Sequence, residues 1–199
     1  KFLEEKGLLF RTHGGASLKN PYANDRSVIE KEKISVIEKT GIANAASAII
    51  SNNDSIIIAS GTSVLALAKA LDPEKCLTVV TSSLNIALEL SRNKKVKVLQ
   101  LGGFVRQSSF SVDGIDLEFG LTTSNLEEAR LNQRMINSSN KLIVLADSSK
   151  FGIRSFAKIC PLNKIDLIIT DKNISQQMLK KLEEKGISVQ IVGEEIKND

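Results

Sequence analysis

The chain reads as an α/β protein built on a mostly parallel, doubly wound sheet. Short apolar runs of four to six residues alternate with stretches of helical periodicity, the signature of βαβ units. The runs are continuous rather than alternating, as expected for strands buried on both faces. The core must come from Ile, Leu, Val and Ala, since the 199 residues contain no Trp and only 4% aromatics.

Taken in order, residues 1–13 (KFLEEKGLLFRTH) are charged and half-apolar, too short for a domain. They predict a helix end, a turn at Gly7 and a short strand. Residues 14–30 read as a polar linker bearing Gly, Asn and Pro, and residues 31–199 as the main domain. Ile34, Ile37, Ile42, Ala45, Ala46 and Ile49 fall at near-helical spacing, predicting a helix over 29–50 with a weak point at Gly41. Strands follow at 56–59, 77–81 and 96–101, separated by the helical stretches VLALAKAL and LNIALELS. A charged amphipathic helix is predicted over 126–136 and strands over 142–146 and 166–170. A helix over 175–184 has Ser175 as N-cap, and 189–192 form the last strand. This is a Rossmann-like pattern.

One interval does not fit. Between Leu101 and the Asp-Gly-Ile-Asp segment at Asp113 there is too little chain for a helical crossover and its strand. Residues 110–112 are all that is left to form that strand.

Composition excludes several classes. The net charge of +4, from 27 basic and 23 acidic residues, is spread along the chain and is no argument for nucleic-acid binding. With His13 the only histidine, neither a His-based metal site nor a Ser-His-Asp triad is expected. We expect no cofactor, no metal and no catalytic residue. Cys76 and Cys160 lie far apart in apolar runs and are expected as buried, reduced thiols. No apolar run has the length of a membrane span. The expected location is the cytoplasm, without membrane partners.

Ligands of open parallel sheets bind outside the carboxyl ends of the strands. Those ends carry Ser60, Gly61, Thr62 and Ser63; Thr81, Ser82 and Ser83; Gly102 and Gly103; Asp113 and Gly114; and Asp147 to Lys150. The set suits a phosphate: Gly61 permits close backbone approach, Thr62 and Ser63 open a helix whose amides and dipole favour an anion, and Lys150 supplies a full charge. Singly, each is ordinary βα-loop or capping chemistry, and Lys150 an ordinary surface lysine; only their convergence argues for a site. Asp113, Asp116, Glu118, Glu127 and Glu128 are open to three readings: acid–base pair, sugar-hydroxyl acceptors, or a solvated loop and helix face, the last being the default for Glu127.

These motifs resemble the DeoR-type bacterial transcriptional repressors over nearly the whole chain. RTHGGA (residues 11–16) is similar to the end of the winged helix running into its linker. SGTS (60–63), TVVTSSLNIALEL (78–90), LQLGG (99–103) and VLADSSKFG (144–152) resemble the sensor-domain signatures, in order. DGIDLEFGLTTSNLEEARLNQRMI (113–136) resembles the subgroup repressing N-acetylgalactosamine and galactosamine catabolism. The resemblance implies a fold like ribose-5-phosphate isomerase and glucosamine-6-phosphate deaminase. It further implies a phosphorylated-sugar effector held at Ser60–Ser63, Thr81–Ser83, Gly102, Gly103, Asp113, Gly114, Glu128 and Lys150, and a homodimer or homotetramer. Operator DNA would be contacted through a preceding winged helix of which Arg11 and His13 are the remnant. The alternatives are a sugar-phosphate isomerase or deaminase of the same fold, and an oligomerisation module with a vestigial pocket. The chain departs from the family at Val112–Asp113, where a helix and strand of roughly 20 residues belong between the Ser108–Ser111 segment and Asp113. We expect that a piece was left out and its flanks joined; a true deletion would remove a central strand.

Overall fold

The computed structural model describes residues 10–12, 15–17, 32–74, 76–102 and 112–193. Near the start, β1 (Phe10–Thr12) and β2 (Gly15–Ser17) form an antiparallel hairpin in which Arg11 pairs with Ala16. This is the strand expected of the stub. His13, Gly103, Ser108–Ser111 and the turn at Gly7 lie outside the described residues.

Helix α1 (Val36–Ile49) starts later than its apolar spacing predicts and runs unbroken through Gly41. A Cβ there would meet Val192 at ordinary contact distance, so the position is not a break. Its buried face, Ile42, Ala43 and Ala46, lies against helix α2 (Thr62–Ala70) and strands β10 (Leu167–Asp171) and β11 (Ser188–Val192). Strands β3 (Ser55–Ile58), β4 (Leu77–Thr81) and β5 (Val96–Gln100) form a parallel sheet in the order β3-β4-β5. Helix α2 connects the first pair and α3 (Leu84–Ser91) the second. A second parallel sheet has the order β11-β10-β8, with β8 at Ile143–Leu145.

The predicted single sheet is thus two three-stranded ones. β3 and β8 are edge strands, with no hydrogen bonds between them. One core nevertheless spans both: Ile58, Leu77, Val79 and Val96 share it with Ile169, and Ile143, Leu145, Leu167 and Val192 pack against it.

A third, antiparallel sheet was not expected. Its strands are β6 (Gly114–Asp116), β7 (Gly120–Thr123) and β9 (Ala157–Cys160), in the order β6-β7-β9. β7 is buried along its whole length, so it shows no alternation, and its Gly and Thr read as loop. Gly114 and Gly120 make the sheet possible. A Cβ on Gly114 would overlap the Ile153 carbonyl, and one on Gly120, at φ +95°, the Cys160 carbonyl. Against this sheet packs α4 (Leu126–Asn137), N-capped by Asn125, whose Oδ1 accepts from the Glu128 amide at 3.0 Å. Helix α5 (Gln176–Glu184) begins at the predicted cap, Ser175, whose hydroxyl accepts from the Met178 amide.

The thiols divide. Cys160 is buried and Cys76 exposed, correcting the expectation for Cys76. Burial pushes the Cys160 thiol up to about 11, against a smaller pull from Lys158 and Lys164. Among the described residues no helix is long and apolar enough to cross a membrane.

Candidate functional site

Eight of the thirteen expected ligand residues lie on the loops that leave the first sheet. In its register Ile58 lies beside Thr81 and Thr81 beside Gln100, so the loops leaving β3, β4 and β5 emerge side by side. The β3 loop passes through Gly61 at φ 133°, a conformation L side chains rarely adopt, and enters α2 with no side-chain cap. The first intrahelical bond runs from the Leu65 amide to the Gly61 carbonyl, 2.9 Å. The amides of Thr62 and Ser63 stand in the first turn, where a helix leaves its N–H groups without internal partners. Ser60, Thr62, Ser63 and Ser82 are half-buried beside them.

Two residues of this rim have structural roles. The Thr81 hydroxyl, fully buried, accepts from the Ser83 amide at 3.1 Å. The Ser83 hydroxyl caps α3 by accepting from Ile86. A bond from the Leu101 amide to the Thr81 carbonyl, 2.8 Å, holds exposed Gly102 next to this pair. A Cβ on Gly102 would meet no described residue within 4 Å.

At the end of β8 the carboxylates are occupied internally. Asp147, buried, accepts from the Ser149 amide and hydroxyl. Asp171, which the sequence reading missed, is buried at the end of β10 and accepts from the Ser148 amide at 2.6 Å and the Asn173 amide at 2.9 Å. Together they fix the 3-10 turn Ser148–Lys150. An Asp closing a strand and followed by Lys-Asn was the available signal. Half-buried Lys150 makes no side-chain hydrogen bond or ion pair with any described residue. Its neighbours Phe151 and Gly152 pair with Ile115, the Gly152 amide reaching the Ile115 carbonyl at 2.9 Å. The Lys150 and Asp113–Asp116 segments are therefore adjacent.

Asp113 and Glu128 do not face solvent. Asp113 is 3% exposed and accepts from the Ser124 amide at 2.9 Å. Glu128 is 5% exposed and accepts from the Thr123 hydroxyl at 2.5 Å. Gly114 answers to packing. Asp116 accepts from the Phe119 and Glu118 amides at 2.6 and 2.9 Å. The Phe119 amide above all, aided by the Glu118 amide and Arg154 and opposed by burial, holds its carboxyl below the ordinary range. Arg154 lies over the Phe119 ring, 3.8 Å from its centre, a contact not read from the sequence. A separate cleft lined by Lys69, Leu71, Glu89 and Arg92 opens at the far, C-terminal ends of α2 and α3.

The family model for the DeoR C-terminal sensor domain matches this chain over residues 34–112 and 108–172. The chain belongs to the DeoR sensor-domain family. Its relatives are named as transcription regulators. The HTH-type transcriptional regulator GolR of Listeria innocua is 34% identical over 95% of this chain and 83% of its own length. The putative aga operon transcriptional repressor of Escherichia coli O157:H7 is 33% identical over 97% and 80%. The HTH-type transcriptional repressor GlcR of Bacillus subtilis is 32% identical over 94% and 80%. The three alignments extend over 218, 216 and 208 positions, each longer than this chain's 199 residues. The relatives therefore carry residues that this DeoR-family chain lacks, and the family match itself breaks at 108–112.

Proposed function

We propose that the chain is the effector-binding and oligomerisation domain of a cytoplasmic DeoR-family repressor, and that a phosphorylated sugar bound at the C-terminal rim of β3, β4 and β5 changes the full-length protein's affinity for operator DNA. The observation that carries this is the uncapped start of α2 behind Gly61, on a rim where the paired strand ends Thr81 and Gln100 lead to Ser82 and Gly102. Amides, hydroxyls and a helix dipole together favour a dianion, and Lys150 is the ammonium we assign to it. The ligand acts through linkage: its affinity must differ between the DNA-competent and DNA-released states. The reading includes the isomerase- and deaminase-like fold and a homodimer or homotetramer. Identity to the aga operon repressor does not exceed that to GolR, so the effector is assigned only as a phosphorylated sugar.

Catalysis is the weaker reading. Of the acid–base candidates Asp113, Asp116, Glu118, Glu127 and Glu128, the carboxylates of Asp113, Asp116 and Glu128 already accept hydrogen bonds from the chain's own amides and hydroxyls.

A thermal-shift screen over phosphorylated and unphosphorylated hexoses, hexosamines and pentoses tests the proposal. A ligand at a hundredfold over its Kd should stabilise by about 2.7 kcal/mol. Lys150→Ala should weaken the phosphorylated ligand about tenfold or more and its unphosphorylated sugar little, while leaving Tm unchanged. No shift with any sugar phosphate, or equal losses for both forms, defeats the reading. Turnover of a sugar phosphate establishes the enzyme instead.

A further inference from the structure

The apolar spacing predicts one helix over 29–50, in which Ile34 and Ile37 keep near-helical spacing with Ile42, Ala45 and Ile49. The structure bends that helix instead. Glu32 is helical and the helix resumes at Val36, yet Ser35 between them stands at φ 53° and ψ 43°. That left-handed conformation brings the Cβ of an L residue too close to its carbonyl oxygen. Among the described non-glycine residues only Ser35 and Asn53 have a positive φ. A serine that starts a helix ordinarily sits extended and caps with its hydroxyl. Ser35 does neither.

The bend is held by bonds that a straight helix would spend differently. In a continuous helix the Ile34 carbonyl accepts the Glu38 amide, four residues on. Here it accepts the Lys39 ammonium at 2.7 Å. Lys39 is 6% exposed, and lysines are seldom buried unless paired. The first backbone bond of α1 runs from the Lys39 amide to the Ser35 carbonyl, 3.0 Å. The Val36, Ile37 and Glu38 amides are left in an opening turn without intrahelical partners. Lys39 thus closes the bend twice, with its ammonium on the residue before Ser35 and its amide on Ser35 itself. Straightening would relieve the Ser35 backbone and satisfy three amides, but would take an acceptor from a buried ammonium. Terms of opposite sign at one residue are what a two-state element needs.

The chain just before the bend also touches α2. Glu32 meets Lys69, in the last turn of α2, at 3.8 Å. At the same end of α2 the Ala70 carbonyl accepts the Ser47 hydroxyl of α1 at 3.2 Å. The ion pair is exposed and therefore weak, enough to bias an equilibrium without locking it. The nine residues of α2, roughly 13 Å of helix, lead from the Gly61 rim to this contact.

We propose that Ser35 is a hinge between a bent and a continuous form of the helix entering the sensor domain, held bent by Lys39 and biased towards the bend by α2 through Lys69 and Glu32. The hinge sets the direction in which the preceding chain, on the side of the β1–β2 hairpin, leaves the sensor domain. It stands on local geometry, whereas its control by an anion at Gly61 rests on the effector reading above. An anion that fixes α2 keeps Lys69 where Glu32 meets it only in the bent form.

The test reads amide exchange at Val36, Ile37 and Glu38 by NMR in the 199-residue chain. These amides exchange freely in the bent form and are protected in the continuous one, where the Glu32, Lys33 and Ile34 carbonyls accept them. Ser35→Val, whose branched side chain resists a positive φ, and Lys39→Met, which keeps the apolar stem without the ammonium, should each slow them about tenfold or more. Ser35→Gly should not. Inorganic phosphate added to Lys39→Met should reverse the slowing, and a further Lys69→Gln should abolish that reversal while keeping the Tm gain from phosphate. Fast exchange at all three residues in both Ser35→Val and Lys39→Met, with Ala43 and Ala46 still protected, overturns the hinge. Phosphate that raises Tm without changing exchange in Lys39→Met overturns the control by α2 and leaves the effector reading standing. No Tm gain from phosphate or any sugar phosphate defeats the effector reading and the control by α2 together, while slowing in Ser35→Val still upholds the hinge.

Discussion

Two groups of polar strand-end residues are built from similar side chains and are treated in different ways. Around β6, β7 and the end of β8, the groups of Asp113, Asp116, Asp147 and Asp171 each accept backbone amides, and Gly114 and Gly120 exist so that carbonyls can approach. Along the rim of β3, β4 and β5, a helix begins uncapped, no described residue crowds Gly102, and Ser60, Thr62, Ser63 and Ser82 remain at a half-buried surface. The carboxylates of the first region thus hold loops together, whereas in the second, beside the structural Thr81 and Ser83, the Ser60, Thr62, Ser63 and Ser82 hydroxyls are left at the surface. Chemical type does not separate Ser83 from Ser82; hydrogen-bond partners do.

Substitutions break or sharpen this contrast. The largest effect is expected for Gly120→Ala, which combines a left-handed φ with overlap of the Cys160 carbonyl. It should cost about 3 kcal/mol or more, in the range of severe backbone strain and overpacking, measured by urea denaturation. An unchanged midpoint would show that β7 yields easily. Asp171→Ala follows. It orphans the Ser148 and Asn173 amides and should cost about 2 to 3 kcal/mol, visible in the same melts. Thiol labelling reads a smaller difference. Cys76 should react with a neutral-pH alkylating reagent in the native protein, while Cys160, with its thiol raised to about 11, should react only after unfolding. At the low end stands Asp116. Its carboxyl is held below the ordinary range, so its contribution is present above the unfolded value of 3.8 and is lost as pH falls below that. Asp116→Asn should shift the acid limb of a stability–pH curve slightly and leave the plateau nearly unmoved. Gly102→Ala closes the series, with stability within about 0.5 kcal/mol of the parent and any effect confined to ligand affinity.

The parallel strands and the helices between them were legible because continuous apolar runs and 3.6-residue periodicity are local signals. Strand β4 and the cap at Ser175 were read to the residue, and the short crossover before Asp113 was visible by counting. The antiparallel sheet was not. Its strands are three or four residues long, β7 is buried on both sides, and its glycines answer to carbonyls distant in sequence. The start of α1 was placed too early because Ile34 fits the helical period yet lies before the helix, 41% exposed. The list of site residues was legible as a list of strand ends. Which of them serve the scaffold was not, because Asp171, Ser124 and Thr123 meet their partners only in three dimensions.

Helix α2 has nine residues, below the length at which a helix persists by itself, and its opening turn is closed by no side chain. An anion seated there would complete that turn's bonding. Occupancy would then be transmitted as rigidity: amide exchange at residues 62–64 should slow on binding, and the stiffened helix would press on α1, its neighbour across the core. The start of a short helix would thus be the moving part of the sensor.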